Sequence, residues 1–422
     1  MSRKRRIAAT LAVTAVICYV GAALGAEEMR LKVTGAKMDC VDVPVCAAIE
    51  LPAELADMSV EHILVDLQQA GQGRRHPGQL VQADADNVKL WWILPEAKAG
   101  QSSTWTARLY DKRLASRMSR PKSFSWRDKE DEYLDLLFDS RKVTRYMYAY
   151  DDSTGQRLFE TYKPFHHVYD AQGKRLTNGP DSASPYIKNE IKYPHHRGIF
   201  IGWSRLTFDG NRYDLWHMSG GAQVHQEFME QIAGPVLARS TALIHWNDKD
   251  GEPLIAERRQ TTVFRQSDPT LLLLQCHTKL KAVRGDVFLN GDPEHAGFQY
   301  RAHNDVASGP KQAKATYLFH AEDIDPRRDR NLPWAAMSYG LDDRRYSVQH
   351  LNHPDNPKPT IYSAYRDYGR FGAFFKDTIK AGETLGLMYR ICVVDGDMPG
   401  RQELASRYAA FVDCPQVEVL SR

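Results

Sequence analysis

The chain lacks most of the short signatures that would assign a reaction. It has no His-Glu-x-x-His pair, no Gly-x-Ser-x-Gly elbow and no glycine-rich phosphate loop between a strand and a helix. The zinc-protease, α/β-hydrolase and nucleotide-binding readings tied to those spacings therefore fall away. No Cys-x-x-Cys occurs, so zinc-knuckle and thioredoxin-type motifs are absent. Charge of one sign is also scarce: the formal net charge is +3 over 422 residues, and Arg3, Lys4, Arg5 and Arg6 contribute to it. With no basic stripe, a nucleic-acid partner is excluded. There is no internal repeat and no low-complexity tract. Beyond the N-terminus no stretch approaches about 18 consecutive apolar residues, so no later segment can span a membrane as a helix. Helix-period segments are few, and only Arg401–Val412 reads as one.

What is present begins with a leader. Arg3 to Arg6 form a basic head, Ile7–Leu24 is uncharged and mostly apolar, and Ala23, Gly25 and Ala26 supply small residues for cleavage. Residues 1–25 are thus expected to be a signal peptide, with a secreted or periplasmic product and no membrane contact after removal. An uncleaved N-terminal anchor is the alternative. Five cysteines follow, at 40, 46, 276, 392 and 414. Cys40 and Cys46 are near enough in sequence to suggest a bridge in an oxidising compartment; scattered buried thiols are the other reading.

Hydrophobic residues make up 42% and charged residues 26%, ordinary values for a globular chain with a sizeable core. Residues 27–120 carry short strands such as Val43–Val45, Ile63–Val65 and Val88–Leu94 between turn residues, the pattern of a small Ig-like β-sandwich. Residues 106–130, rich in Arg, Lys, Asp and Ser, read as a linker. Residues 124–414 are strand-rich. The strands expected there are Val143–Tyr150, Gly198–Trp203, Val224–Met229, Ala242–Trp246, Thr261–Phe264, Thr270–Leu280, Gly297–Arg301, Gly372–Phe375 and Thr384–Val394. Many strands and few helices predict an all-β fold with a large antiparallel sandwich.

Histidine is unevenly distributed. Six of 15 (His166, His167, His195, His196, His217 and His225) fall within 60 residues, where even spacing would place about two. Imidazole both gives and takes protons near neutral pH and is the commonest metal ligand. Within the cluster, Tyr193-Pro194-His195-His196-Arg197-Gly198 is the sharpest segment. Pro194 is expected to hold Tyr193 extended. The two histidines would point apart, Arg197 would offer a fork of donors, and Gly198 would let the next strand pass close to other backbone. His225 and Glu227, two apart on a strand, are expected on one face. Asp292, Glu294 and His295 lie in a turn-rich loop before a strand whose Gln299, Arg301 and His303 share a face. A second constellation runs from His350 through His353, Asp355 and Asn356 to Tyr365, Arg366, Asp367 and Tyr368. Rings beside Arg and Asp suit a polyhydroxylated ligand, whose C–H faces stack while its hydroxyls bond to charge.

Several segments resemble the family labelled PmoA: Thr161–Val168, Tyr193–Gly198 with Gly202-Trp203, and Asp214-Leu215-Trp216-His217. Trp246, Glu257-Arg258, Gly291–Arg301, His353–Pro357 and Tyr389-Arg390 continue the match across roughly residues 124–395. Two departures stand out: Tyr193 where the family has Asp-His before Pro, and Pro293-Glu294-His295-Ala296 where it has Thr-Lys-Glu-Gly. The label implies a methane oxygenase subunit, which would need several membrane spans. The resemblance also implies exported proteins linked to sugar degradation, with a sandwich of the galactose-mutarotase type.

The combined expectation is an enzyme cleaving or isomerising a sugar or oxidised sugar derivative by histidine acid/base chemistry. His196 would be the acid or base beside His195, Arg197 the clamp, and His225 or Glu294 the second proton group. Trp203, Trp216, His217, Arg301, His303, His353, Asn356, Tyr365 and Arg366 would bind substrate. A divalent metal at His195, His196 or His225 is the cofactor alternative. A non-catalytic carbohydrate-binding protein and an oxygenase are the rival functions.

Overall fold

The computed structural model describes residues 26–421 apart from 84–86, 114–119 and 184. The expected leader, residues 1–25, and part of the expected linker lie outside the described residues. The chain is all-β. Two eight-stranded antiparallel sheets enclose the main core. One runs, in spatial order, from Ile361–Tyr362 through Arg370–Phe374, Ala296–Arg301, Ile199–Trp203, Phe165–Val168, Arg141–Met147 and Tyr133–Phe138 to Phe124–Lys129. The other runs from Gly221–Ala233 through Leu237–Asp248, Pro253–Phe264, Thr270–Ala282, Thr384–Asp395, Arg344–Asn352 and Trp334–Leu341 to Thr316–Phe319. Between them pack Ile199, Ile201, Trp203, Phe298, Tyr300 and Phe371 from the first sheet against Ile244, Trp246, Ile255, Leu274, Tyr389 and Ile391 from the second.

The second sheet's strands are longer than their apolar runs suggested. Pro253–Phe264 includes Glu257-Arg258-Arg259-Gln260, a charged run that reads as a break. It continues as strand because Glu257 and Arg259 satisfy each other inside the core: the guanidinium makes two bonds of 2.8 Å to the carboxylate. Trp246 Nε1 (2.7 Å) and Thr278 Oγ1 (2.6 Å) donate to the same carboxylate.

The N-terminal region forms a seven-stranded antiparallel sheet whose edge strands, Cys40–Ile49 and Gln416–Ser421, approach each other round a core of their own. Its outer face also finds a partner. In Val88–Ala97, Leu90, Trp92 and Leu94 face the small core, while Trp91 and Ile93 pack on Leu237, Phe264 and Cys392 of the large sandwich. The continuous apolar run at Leu90–Leu94 is thus buried on both faces. Gln79 Oε1 adds a polar tie, accepting from Val236 N (3.0 Å) and Leu237 N (2.9 Å). The helix Arg401–Val412, where the sequence placed it, covers Trp334 and Leu351 with Leu404 and Phe411.

The last strand of the small sheet comes from the far end of the chain. Gln416–Ser421 pairs antiparallel with Glu27–Thr34, and Val417 and Val419 pack on the small core. Deleting residues 416–422 therefore bares an edge of unpaired backbone. It is expected to cost about 2 kcal/mol for the two valines and to promote association. Urea denaturation and size-exclusion chromatography measure the two effects, and an unchanged midpoint would argue against the pairing.

The five described cysteines are all free. The Cys40–Cys46 bridge is excluded because both lie on one extended strand. Six residues at about 3.3 Å each put them roughly 20 Å apart, whereas bridged Cα atoms sit within about 7 Å. Among the described residues no helix is long and apolar enough to cross a membrane.

Candidate active site

The Tyr193–Gly198 segment enters the first sheet at Ile199. Tyr193 has φ +55°, so the extended geometry expected before Pro194 is not adopted. The left-handed turn, closed by His196 N donating to Tyr193 O (2.9 Å), lays the Tyr193 ring 4.5 Å from Tyr368. A strained residue of this kind persists only where its surroundings over-determine it. Gly198 (φ +39°) is required sterically: a Cβ there would lie 2.0 Å from His166 O. Arg197 is fully buried, and its hydrogen bonds all go to backbone carbonyls. Its guanidinium donates to Glu160 O (2.9 Å) and Phe159 O and lies 4.0 Å from the Tyr162 ring. It caps the free carbonyls at the end of helix Gly155–Thr161, which is where a cation is favoured. The clamp role expected for Arg197 is therefore replaced by an anchoring one.

Two Asp-x-x-His turns flank the histidine pair. Asp214 Oδ1 accepts from Trp216 N (3.1 Å) and His217 N (2.9 Å), and Oδ2 accepts from His217 Nδ1 (2.8 Å). Asp292 Oδ1 accepts from Glu294 N (3.1 Å) and His295 Nδ1 (2.8 Å), and Arg205 holds its other oxygen at 3.0 Å. Each aspartate thus fixes its histidine with a proton on Nδ1 and leaves Nε2 as the working nitrogen. Burial works to raise the Asp214 pKa, but the His217 side chain and the backbone donors outweigh it and hold it at about 2.

The rings converge. His195 lies 4.3 Å from His217 and 4.2 Å from His196, and His217 lies 5.3 Å from His295, centroid to centroid. The adjacent pair does not point apart: its rings meet edge to face at 73°. His196 stacks at 12° on Tyr368 and packs on Trp216. Buried His195 Nε2, both ring nitrogens of His196 and Trp216 Nε1 have no hydrogen-bond partner among the described residues. Burial, with His217, Lys163 and His295 nearby, pushes the His195 pKa to about 2. Burial and His195 depress that of His196 well below the usual value. His196 is accordingly a weak base in the free protein.

His195 and His217 line a cleft of about 680 Å³ together with Tyr150, Phe159, Tyr162, Lys188 and Asn247 to Lys249.

Residues 133–409 match a family of unknown function, DUF6807. The chain belongs to this family. The function of the family is not known, so the match lends no support to the oxygenase label or the sugar association of the resemblance. No curated protein matches the chain. Among solved structures it is similar to a galactose mutarotase related enzyme from Lactobacillus acidophilus, at 7% identity and a TM-score of 0.31, covering 65% of this chain and 97% of that one. His195, His196, His217 and His295 all lie inside the family segment.

Other expected site residues lie elsewhere. His225 packs on Tyr148, Phe228 and Tyr146, and none of its ring contacts is with His195 or His196. A bulge between His225 and Glu227 breaks the alternation, so the two do not form the expected same-face pair. Trp203 is core, its Nε1 donating to Phe375 O (3.1 Å). His303 has left the strand face of Gln299 and Arg301 to cap the short helix Asn304–Ser308. His353 packs on Phe411, and Asn356 pins its loop to Asn352 and Met388 at 2.8 Å each. These two shape a loop, not a ligand wall. Glu294 is held by Arg366 (2.7 Å) and Tyr365 (3.1 Å). Burial works to raise its pKa, but these partners keep it below the usual value. Among the described residues no group of three or more His, Cys, Asp or Glu side chains is placed to hold a metal ion.

From the sequence, His295, Tyr368 and Arg370 fall in candidate segments without a role of their own, and Asp214 and Lys163 are not assigned to the site. The repeated Asp-x-x-His spacing at 214–217 and 292–295 was the available signal.

Proposed function

We propose that the protein is an acid/base enzyme acting on a sugar or oxidised sugar derivative held against His195, His217 and His295. The observation that carries this is the pair of matched Asp–His dyads with rings 5.3 Å apart. With Nδ1 occupied, one Nε2 takes a proton from the ligand while the other delivers one, and each aspartate stabilises the imidazolium formed beside it. Proton abstraction next to a carbonyl fits two facing dyads. Rings at Tyr150, Phe159 and Tyr162 with Lys188 and Asn247 alongside support a polyhydroxylated ligand. The leader-like residues 1–25 support work outside the cytoplasm.

The test is proton NMR in deuterated water over a panel of sugars and their oxidised derivatives. Exchange of a carbon-bound proton, or a cleaved bond, reports turnover whatever the product. His217→Gln and His295→Gln are each expected to lower the rate about 10²- to 10⁴-fold, with ligand affinity kept within a few-fold. Full rates in both variants would sink the dyad mechanism. Binding by the wild type with no turnover on any ligand would favour the non-catalytic reading.

A further inference from the structure

Three basic side chains lie fully buried behind the histidines, and every hydrogen bond they make is to a neutral oxygen. Lys163 is 1% exposed and donates to Trp216 O (2.7 Å). Arg301 is 0% exposed; it donates to Tyr368 O and to Lys192 O (3.3 Å), and its Nε has no partner. Arg370, also 0% exposed, donates to Gln299 Oε1 (3.0 Å), Ser363 Oγ (2.7 Å), the Tyr368 hydroxyl (3.0 Å) and Pro293 O (3.4 Å).

The carboxylates nearby are engaged with other groups. Asp214 is held by His217, Asp292 by His295 and Arg205, and Glu294 by Arg366 and Tyr365. Buried cations are ordinarily paired, because an uncompensated buried charge is costly. Among the described residues none of the three has an ion-pair partner; Asp214 acts on Lys163 and Glu294 on Arg370 only from beyond ion-pair distance. The unpartnered groups in the same place point the same way. Trp216 Nε1 can only donate, and His195 and His196 hold three more ring nitrogens without partners. Lys188 and Lys249, both exposed, stand at the mouth of the cleft. Asp248, also in the cleft wall, is buried and held by Arg284 (2.7 Å), so the exposed charge on the cleft is that of the two lysines, which draws in an anion.

We propose that the site selects an anionic ligand, a sugar acid whose carboxylate sits at the cleft floor beside His195 and His217. This rests on the sugar-directed reading above and narrows its substrate class. The carboxylate oxygens supply the acceptors that the buried donors lack, and their charge answers Lys163, Arg301 and Arg370. Lys188 and Lys249 guide the acid in from solvent.

Isothermal titration calorimetry on the full chain tests this with galacturonate and glucuronate against galactose and glucose, at low and at physiological salt. The expected result is a uronate affinity at least about tenfold above that of its neutral parent, falling as salt rises. The double variant Lys188→Gln/Lys249→Gln removes only exposed charge and so keeps its fold. It should weaken uronate binding about tenfold and flatten the salt dependence. Neutral sugars binding as well as their acids would overturn the anionic assignment and leave the sugar reading standing. Inorganic phosphate or sulfate binding as tightly as the uronates would overturn the sugar acid while keeping an anion site. No binding by either sugar class would remove both readings.

Discussion

Glu257→Gln is expected to lower the folding stability by about 3–5 kcal/mol, the effect of breaking a buried ion pair from one side. Glu257 is 0% exposed and is the common acceptor for Arg259, Trp246 and Thr278. Neutralising it removes the interaction that more than offsets burial at Arg259 and leaves a guanidinium, which does not give up its proton in proteins, buried without a counter-charge. A companion change separates charge from shape. Glu257→Met with Arg259→Met removes both charges, so the double variant should regain part of the loss. It retains the deficit of leaving Trp246 Nε1 and Thr278 Oγ1 unsatisfied, about 1–3 kcal/mol each. Urea midpoints of the three proteins measure the series. A double variant less stable than Glu257→Gln would mean that the pair itself, not the uncompensated charge, sets the cost.

Acid is expected to unfold the protein well before the carboxylates titrate. His166 and His350 are enclosed in the core, and burial lowers each pKa from 6.5 to about 3. His166 is reinforced by Arg259. His350 sits between the Tyr362 hydroxyl (3.0 Å) and Phe298 O (3.1 Å); the Phe298 carbonyl and its own backbone pull its pKa back only in part. Above pH 6.5 both states hold these rings neutral and stability is unaffected. As the pH falls below 6.5 the unfolded chain takes up the protons while the folded chain refuses them until about pH 3. Each histidine therefore removes about 1.4 kcal/mol per pH unit in that window. Two of them over two and a half units remove about 7 kcal/mol, comparable with the whole stability of an ordinary domain. Denaturant midpoints at pH 7, 6, 5 and 4 should fall steadily. A flat profile between 6.5 and 4 would show that the two rings already carry protons in the folded state.

The two experiments bear on function as well as on folding. Thr261 Oγ1 lies 3.4 Å from His166 Nε2, and Gly198 passes against the His166 carbonyl. The same core that excludes protons from His166 therefore seats the turn carrying His195 and His196. Loosening it should blur the site before it unfolds the chain.

Much of this was legible in the chain's order. Alternating and continuous apolar runs announced the strands, and Arg401–Val412 was recognisable as a helix because its apolar residues recur at helical spacing. The histidine-rich stretch and the need for glycine at 198 marked the segment round which the candidate site is built, since both depend on neighbours close in sequence. Strand length was under-read at Glu257–Gln260, where charge that looks solvent-bound is neutralised within the strand by the buried Glu257–Arg259 pair.

Which side chains meet was decided by the tertiary structure alone. His217 and His295 arrive from loops about 22 and 100 residues beyond His195, and only the sandwich brings their rings together. A single-residue bulge turned Glu227 off the face of His225, and the end of a short helix claimed Arg197. The Arg366–Glu294 pair and the Gln416–Ser421 strand likewise join distant segments. Local chemistry sets what a segment can form; packing, hydrogen-bond satisfaction and charge balance across the core set what each side chain is left free to do.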